Sequence, residues 1–172
     1  MAKAKKDVFV NRALQRITMS AANTLTLQQV NFAVGIFQGV AIVLHRIKYY
    51  VGSTAWRETS GSTDSFQVGM TVSGQLADIA MTQAEVVDMH EITGVAAGTP
   101  ANLLLPVLPI LSDLTGLPGS GLLVAANPIY VAADSSGLTT AFTVDVEILF
   151  TFIELSDADY IELIQSRVQA NI

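Results

Sequence analysis

The residue types that most often do chemistry are few in this sequence, and their spacing is unfavourable. His45 and His90 are the only two histidines. Neither has a second histidine at H-x-H or H-x-x-x-H spacing, the patterns that put two imidazoles on one face and let them share a metal. The stretch "DMHE", Asp88 to Glu91, would place Asp88 and His90 on the same face of a strand. That makes one ligand pair, short of a site. Cysteine is absent, which excludes thiolate metal sites, disulfides and cysteine nucleophiles. "SDADYIE" offers Asp157, Asp159 and Glu162 but lacks the glycine and the twelve-residue ligand ladder of a calcium loop. "GLPGSG", Gly116 to Gly121, lacks the Lys-Ser/Thr ending of a phosphate loop, and no G-x-S-x-G nucleophile turn occurs. Any two carboxylates can meet in space for glycoside hydrolysis, yet no spacing singles out a pair. The expectation is a chain that is no enzyme, with no catalytic residue, cofactor or metal.

The elements that would have to position such residues read almost entirely as β. "FTVDVEILFTFIEL" sets Phe142, Val144, Val146, Ile148, Phe150 and Phe152 on alternate positions, opposite Thr143, Asp145 and Glu147. Period two over that length predicts a central core strand, and a one-residue slip would carry Asp145 and Glu147 inward. "SFQVGMTVS" alternates as cleanly, with Phe66, Val68, Met70 and Val72 on one side. "VAIVLHRIKYYV", Val40 to Val51, reads as a strand with Val43, His45, Ile47, Tyr49 and Val51 on one face and Leu44, Arg46, Lys48 and Tyr50 on the other. Further strands are expected in "NTLTLQQVNF", "EVVDMHEITGV" and "LLVAANPIYVAAD". Pro106 and Pro109 restrict "LLLPVLPILSDL" to an edge strand or an apolar connector, since each lacks a ladder donor.

"GSTAWRETSGSTD", residues 52–64, reads as a loop anchored by Trp56, the single tryptophan. "GQLADIAMTQA" reads as a turn with a short helix. At the C-terminal side, Ser156 is a natural N-cap and Asp157 and Asp159 lie in the first turn, where a helix favours negative charge. A helix over about 157–168 is therefore expected.

Seven or eight strands without a βαβ rhythm predict an all-β fold: a two-sheet antiparallel β-sandwich, with a jelly roll preferred and an immunoglobulin-like order as the alternative. The boundaries read as an N-terminal arm over 1–22, a sandwich over 23–155, and a helix and tail over 156–172. Residues 1–12 are expected to be flexible in a free subunit.

Composition bounds the rest. The 172 residues are 51% hydrophobic and only 14% charged, far from a disordered composition. So few charges suggest that neighbours cover part of the surface. The longest apolar run, "FAVGIFQGVAIVL", is interrupted by Gly35, Gln38 and Gly39 and is too short for a membrane span. "MAKAKKDVFV" is basic without a following apolar region, so no export signal is read. Lys3, Lys5, Lys6, Arg12, Arg16, Arg46 and Lys48 face Asp7 alone, whereas after Lys48 only Arg57 and Arg167 oppose fourteen acids. A basic leading segment on an acidic body can dock on a neighbour or touch a polyanion. Lys3, Lys5, Lys6 and Arg12 are the candidate contacts for a partner or polyanion; Trp56, Tyr160 and Ile164 are candidate subunit-interface residues.

The basic start "MAKAKK", the apolar β body with Gly/Ser/Thr loops, and the closing "VDVEILFTFIELSDADYIELIQS" together resemble the single jelly-roll major capsid proteins of icosahedral bacterial and archaeal viruses. The resemblance implies a structural subunit that self-associates into capsomers and a shell around the genome, a homo-oligomer located in the virion after assembly in the host cytoplasm. Other capsid proteins and weak genome contact through the arm are the further partners it implies. The alternatives are a carbohydrate-binding sandwich, for which Trp56, Tyr49 and Tyr50 are the aromatic group available, and a non-viral filament or surface-layer subunit.

Overall fold

The structure, a computed structural model, describes residues 9–30, 32, 40–59, 63–94, 109–125, 128–156, 158–159 and 161–162. Nine strands and the helix Ser53–Thr59 occur among them, with helical residues again after Ser156. Sheet A contains β1 (Asn11–Thr18), β9 (Thr143–Glu154), β3 (Val40–Val51), β6 (Ile110–Asp113) and β7 (Leu122–Ala125). Sheet B contains β2 (Thr26–Gln29), β8 (Tyr130–Ser136), β4 (Ser65–Thr71) and β5 (Val86–Thr93). The helix α1 (Ser53–Thr59) lies between β3 and β4.

β6 and β7 pair with successive stretches of β3, Arg46–Tyr49 and Ala41–Leu44. They are one edge strand broken by residues 114–121. Counted so, eight strands remain, in spatial order β1-β9-β3-β6/β7 and β2-β8-β4-β5. All pairings are antiparallel. Four of them, β1 with β9, β2 with β8, β3 with β6/β7 and β4 with β5, nest inside one another about the β4–β5 turn. One long antiparallel ribbon has been wound into two sheets, which is the jelly-roll order and excludes the immunoglobulin-like one.

The core lies between the sheets. β9 supplies Val144, Val146, Ile148 and Phe150, with Phe142 just before it, all buried, and β4 supplies Phe66, Val68 and Met70, each fully enclosed. β9 is flanked by β1 and β3, so its alternation marks a central strand as expected. Phe32 packs edge-on against Phe150, and Phe66 against both Phe142 and Trp56. Each large side chain so enclosed contributes about 1.5–3 kcal/mol relative to exposure.

Four expectations change. Asn11–Thr18, taken as part of an arm, is β1 and pairs without a break along β9 from Asn11↔Phe150 to Thr18↔Thr143. Ala13 and Ile17 are buried by that pairing, so the strand is held by its partner rather than by its own weak pattern. Asn11 and Arg12 thus belong to the sandwich, and the rest of the proposed arm before Phe9 lies outside the described residues. On β3 the register shifts between Leu44 and Arg46, leaving His45 as a bulge. An extra residue inverts the face of everything beyond it, so Leu44 and Ile42 join Ile47, Tyr49 and Val51 inside. The loop over 52–64 contains α1, whose Ala55 and Thr59 are buried. No helix forms over 74–84: the chain turns there and lays Ile79 on the outer face of sheet B, against Val86 and Ala132. Gly69 lies under Ile79; a Cβ there would be 3.4 Å from the Ile79 side chain but only 2.6 Å from the Asp88 carbonyl oxygen of the paired strand.

At the C-terminal side, the Ser156 hydroxyl accepts a hydrogen bond from the Asp159 amide at 3.2 Å, as an N-cap does, and donates to the Asp159 carboxylate at 2.6 Å. Ala158, Asp159, Ile161 and Glu162 are helical. The remainder of the helix expected over 157–168 lies outside the described residues.

Candidate functional site

The densest polar geometry in the interior joins the two sheets. Inward-facing positions of β5 bring Asp88 and His90 towards β3 and β6 of the opposite sheet. The Tyr49 hydroxyl donates to Asp88 Oδ2 at 2.7 Å, and the Ser112 hydroxyl donates to the same oxygen at 2.8 Å. His90 Nε2 lies 2.6 Å from Ser112 Oγ and 3.6 Å from Asp88 Oδ2. The Tyr49 and His90 rings stack edge-on at 5.7 Å. Tyr49 is fully enclosed and Ser112 buried.

A serine, a histidine and an aspartate in contact invite comparison with a nucleophilic triad, but the protons run the wrong way. A triad serine gives its proton to histidine, and the aspartate supports the far side of the ring. Here the single Ser112 proton points at Asp88. His90 Nε2 therefore carries a hydrogen and donates to Ser112, so it cannot act as the base for that hydroxyl. Burial alone would raise the Asp88 pKa. The donors His90, Tyr49 and Ser112, with the nearby His90 charge, outweigh burial and hold it below the usual carboxylate range. Tyr49 is pushed well above an ordinary tyrosine, by burial first and then by the Asp88 charge and hydrogen bond. The arrangement fastens sheet to sheet. Asp88 and His90 do share a face as their spacing predicts; Tyr49 and Ser112 were not anticipated. An inward tyrosine on a strand was the available signal, because a buried phenol needs a hydrogen-bond partner.

His45, at the β3 bulge, has both ring nitrogens engaged. Nδ1 lies 2.7 Å from the Ser120 carbonyl oxygen and Nε2 lies 3.0 Å from Thr151 Oγ1. It pins the 114–121 excursion to the outer face of sheet A. Among the described residues, no group of three or more histidines, aspartates or glutamates could hold a metal ion.

The outer face of sheet A gathers Arg12, Arg16, Arg46 and Lys48 from β1 and β3. Each has an acid beside it. Glu147 on β9 receives Arg12 at 2.7 Å and Lys48 at 3.2 Å, together with the Tyr50 hydroxyl at 3.3 Å. Burial pulls the Glu147 pKa up, and Lys48 and Arg12 more than reverse it. Arg16 grips Asp145 through two nitrogens, at 2.6 and 2.9 Å, which lowers that carboxyl. Asp113 is held down to about 2 by the Thr115 hydroxyl and amide and then by Arg46. A groove of ≈ 530 Å³ runs along β1 here, lined by Leu14, Gln15, Tyr50 and Val146 between the Arg12–Glu147 and Arg16–Asp145 pairs.

Arg12, expected to meet a partner or a polyanion, pairs with Glu147 and keeps a side chain 58% exposed. Trp56 sits on α1 and packs on Phe66 with ring centroids 5.1 Å apart, which accounts for it as an anchor. Lys3, Lys5, Lys6, Tyr160 and Ile164 lie outside the described residues. The aromatic trio suggested for sugar binding is divided: Trp56 lies on Phe66, Tyr49 is enclosed, and Tyr50 alone is exposed on the outer face. No helix among the described residues is long and apolar enough to cross a membrane.

No protein-family model matches the chain, and no curated protein matches it. Among solved structures it is similar to the VP1 protein of trichodysplasia spinulosa-associated polyomavirus, solved in complex with 3'-sialyllactose, at 12% identity and a TM-score of 0.27, over 84% of this chain and 76% of that one.

Proposed function

We propose that this chain is a structural subunit of a viral shell, a single jelly-roll capsid protein that associates with copies of itself into capsomers and then a closed particle around the genome. The observation that carries the reading is the strand order β1-β9-β3-β6/β7 over β2-β8-β4-β5, in a chain whose own residues resemble that family. Fold alone does not fix function, since lectins and cupins use jelly rolls too, so the side chains have to decide. Both histidines are spent on structural hydrogen bonds. The Ser112–Asp88 contact faces the wrong way for a nucleophile. Among the exposed residues are several large apolar ones: Phe9, Val10, Leu14, Tyr50, Met81, Leu111, Leu117 and Ile161. A subunit with that surface is suited to burial against copies of itself, and its role is structural rather than catalytic.

The test is expression of the full chain followed by size-exclusion chromatography and electron microscopy. Regular capsomers or closed particles are expected. A chain that stays monomeric at every concentration overturns the proposal. The rival reading, carbohydrate binding, has one observation in its favour: Tyr50 is exposed beside Glu147 and Asp145 in the groove. It predicts a monomer that is retained on a glycan surface and loses retention in Tyr50→Ala.

A further inference from the structure

The four outer edges of the two sheets are not equally protected. An edge strand offers free N–H and C=O groups to any extended chain, and proteins blunt it with short strands, bulges, breaks or inward-pointing charge. β2 has only four residues. The β6/β7 edge comes in two four-residue pieces separated by 114–121 and preceded by Pro109. β5 has eight residues, but it turns Asp88 and His90 inward and its pairing with β4 shifts register between Met70 and Thr71. β1 has none of these devices. Its eight residues run in unbroken register with β9, contain no proline, and pair with no other strand among the described residues.

Its side chains remove the remaining safeguard. Charged residues on an edge repel a second strand, yet Arg12 and Arg16 are each neutralised within their own sheet, by Glu147 and Asp145. Between them Leu14 is 64% exposed, and the residues leading into the strand, Phe9 and Val10, are 80% and 57% exposed. The edge therefore presents an exposed leucine between two arginines that are each already held by an acid of the same sheet. A strand of the same character fits, and the chain carries one: β1 itself.

We infer that the β1 edge, over Arg12–Thr18 with Phe9 and Val10, is a docking surface for the β1 edge of a second copy, paired antiparallel about a two-fold axis so that sheet A continues from one subunit into the next. Antiparallel pairing centred on Ala13 sets Arg12 opposite Leu14 of the other copy and Gln15 opposite Asn11, so no like charges face each other. One strand pair buries less than the ~800 Å² per partner typical of a stable complex, so the contact is weak alone and is reinforced by the other contacts of an assembly. The inference rests on the self-assembling reading above.

The experiment compares the full chain with Leu14→Lys, which would set a lysine opposite Arg12 of the other copy while facing Glu147 in its own sheet, and with Leu111→Lys. The latter is an exposed leucine on the opposite edge of sheet A, and both substitutions sit in water in the free subunit. Association is followed by sedimentation over a range of concentration. Hydrogen exchange of the peptide covering 11–18 is recorded at the two extremes. Self-association with slowed exchange in 11–18 is expected for the native chain. Leu14→Lys should raise the concentration for half-association by about tenfold or more and abolish the slowing, while Leu111→Lys keeps it. Because cysteine is absent, Ala13→Cys gives an independent readout: a disulfide-linked dimer under mild oxidation. If the native chain assembles but 11–18 exchanges equally fast in the assembled and dilute states, or Leu14→Lys assembles normally, this edge is not the contact and the shell reading stands. If the native chain never associates, the shell reading itself fails.

Discussion

Removing the Asp88 carboxylate should unfasten the two sheets. Asp88 accepts from Tyr49 at 2.7 Å and from Ser112 at 2.8 Å, with its side chain only 13% exposed. A hydrogen bond to a charged acceptor is worth about 1.5–3 kcal/mol, and a buried donor left without a partner costs about 1–3 kcal/mol. Against this stands the relief of no longer burying a charge, itself worth several kcal/mol. The balance for Asp88→Ala is a loss of about 2–4 kcal/mol, because Tyr49 is fully enclosed and its hydroxyl has no water to turn to. Tyr49→Phe removes donor and demand together and should cost only about 1–1.5 kcal/mol.

Urea unfolding of the unassembled subunit, followed by Trp56 fluorescence, measures both. In the double variant the losses should fall short of additivity by about 1–2 kcal/mol, since the second change removes an already orphaned group. The pH dependence has a definite sign. The folded pKa of Asp88 lies below its unfolded value, so its contribution is complete above about pH 4 and is lost as pH falls through the lowered folded value. Tyr49 is raised, so its contribution is complete below about pH 10 and is lost above that. Both limbs should flatten in the double variant. Additive losses within about 0.5 kcal/mol, with an unchanged acid limb, would refute the reasoning that the cluster acts as one inter-sheet clasp.

Three further outcomes follow from other parts of the fold. Glu147→Gln should lower stability by about 1 kcal/mol, a modest figure because Arg12 is half in water, and should remove a stabilisation that the native chain loses only as pH falls below the ordinary glutamate range; salt titration of the unfolding midpoint checks it. Gly69→Ala should cost about 1–3 kcal/mol, since the new methyl meets the Asp88 backbone at 2.6 Å and one of the paired strands must shift; thermal unfolding reads this directly. Trp56→Ala should cost about 2–3 kcal/mol by emptying the space over Phe66, and near-ultraviolet circular dichroism should lose its indole signal, whereas a Trp56 that served only a partner would leave the isolated subunit's stability unchanged.

What was legible in the sequence divides along a physical line. β9 and β4 were readable because one face of each is buried along its whole length, so period two survives from end to end. β1 was not: its inward residues are Ala13, Gln15 and Ile17, a weak stripe, and its outward set includes the exposed Leu14. Only β9, 129 residues away at the Arg16–Asp145 contact, makes it a strand. The β3 bulge was hidden for a related reason. His45 carries both an apolar ring and two polar nitrogens, so it fits the buried face of an unbroken alternation as readily as the bulge it occupies, and the phase error beyond it leaves apolar residues on both faces. The clasp was half visible. Asp88 and His90 announce a shared face by spacing alone, but Tyr49 and Ser112 reach them across separations of 39 and 24 residues that only the winding of the ribbon closes.

That winding also explains the uneven charge. Pairing β1 and β3 on either side of β9 brings early cations to the late acids Asp145 and Glu147, so a sequence polarised end to end becomes a sheet face on which each cation has an acid beside it and Glu147 serves two. Sheet B receives no lysine or arginine on any strand, and Asp134 there is raised by burial and by Asp78 beside it. The two outer faces are consequently unlike: on sheet A each cation is paired with an acid, whereas sheet B carries acids with no lysine or arginine on its strands.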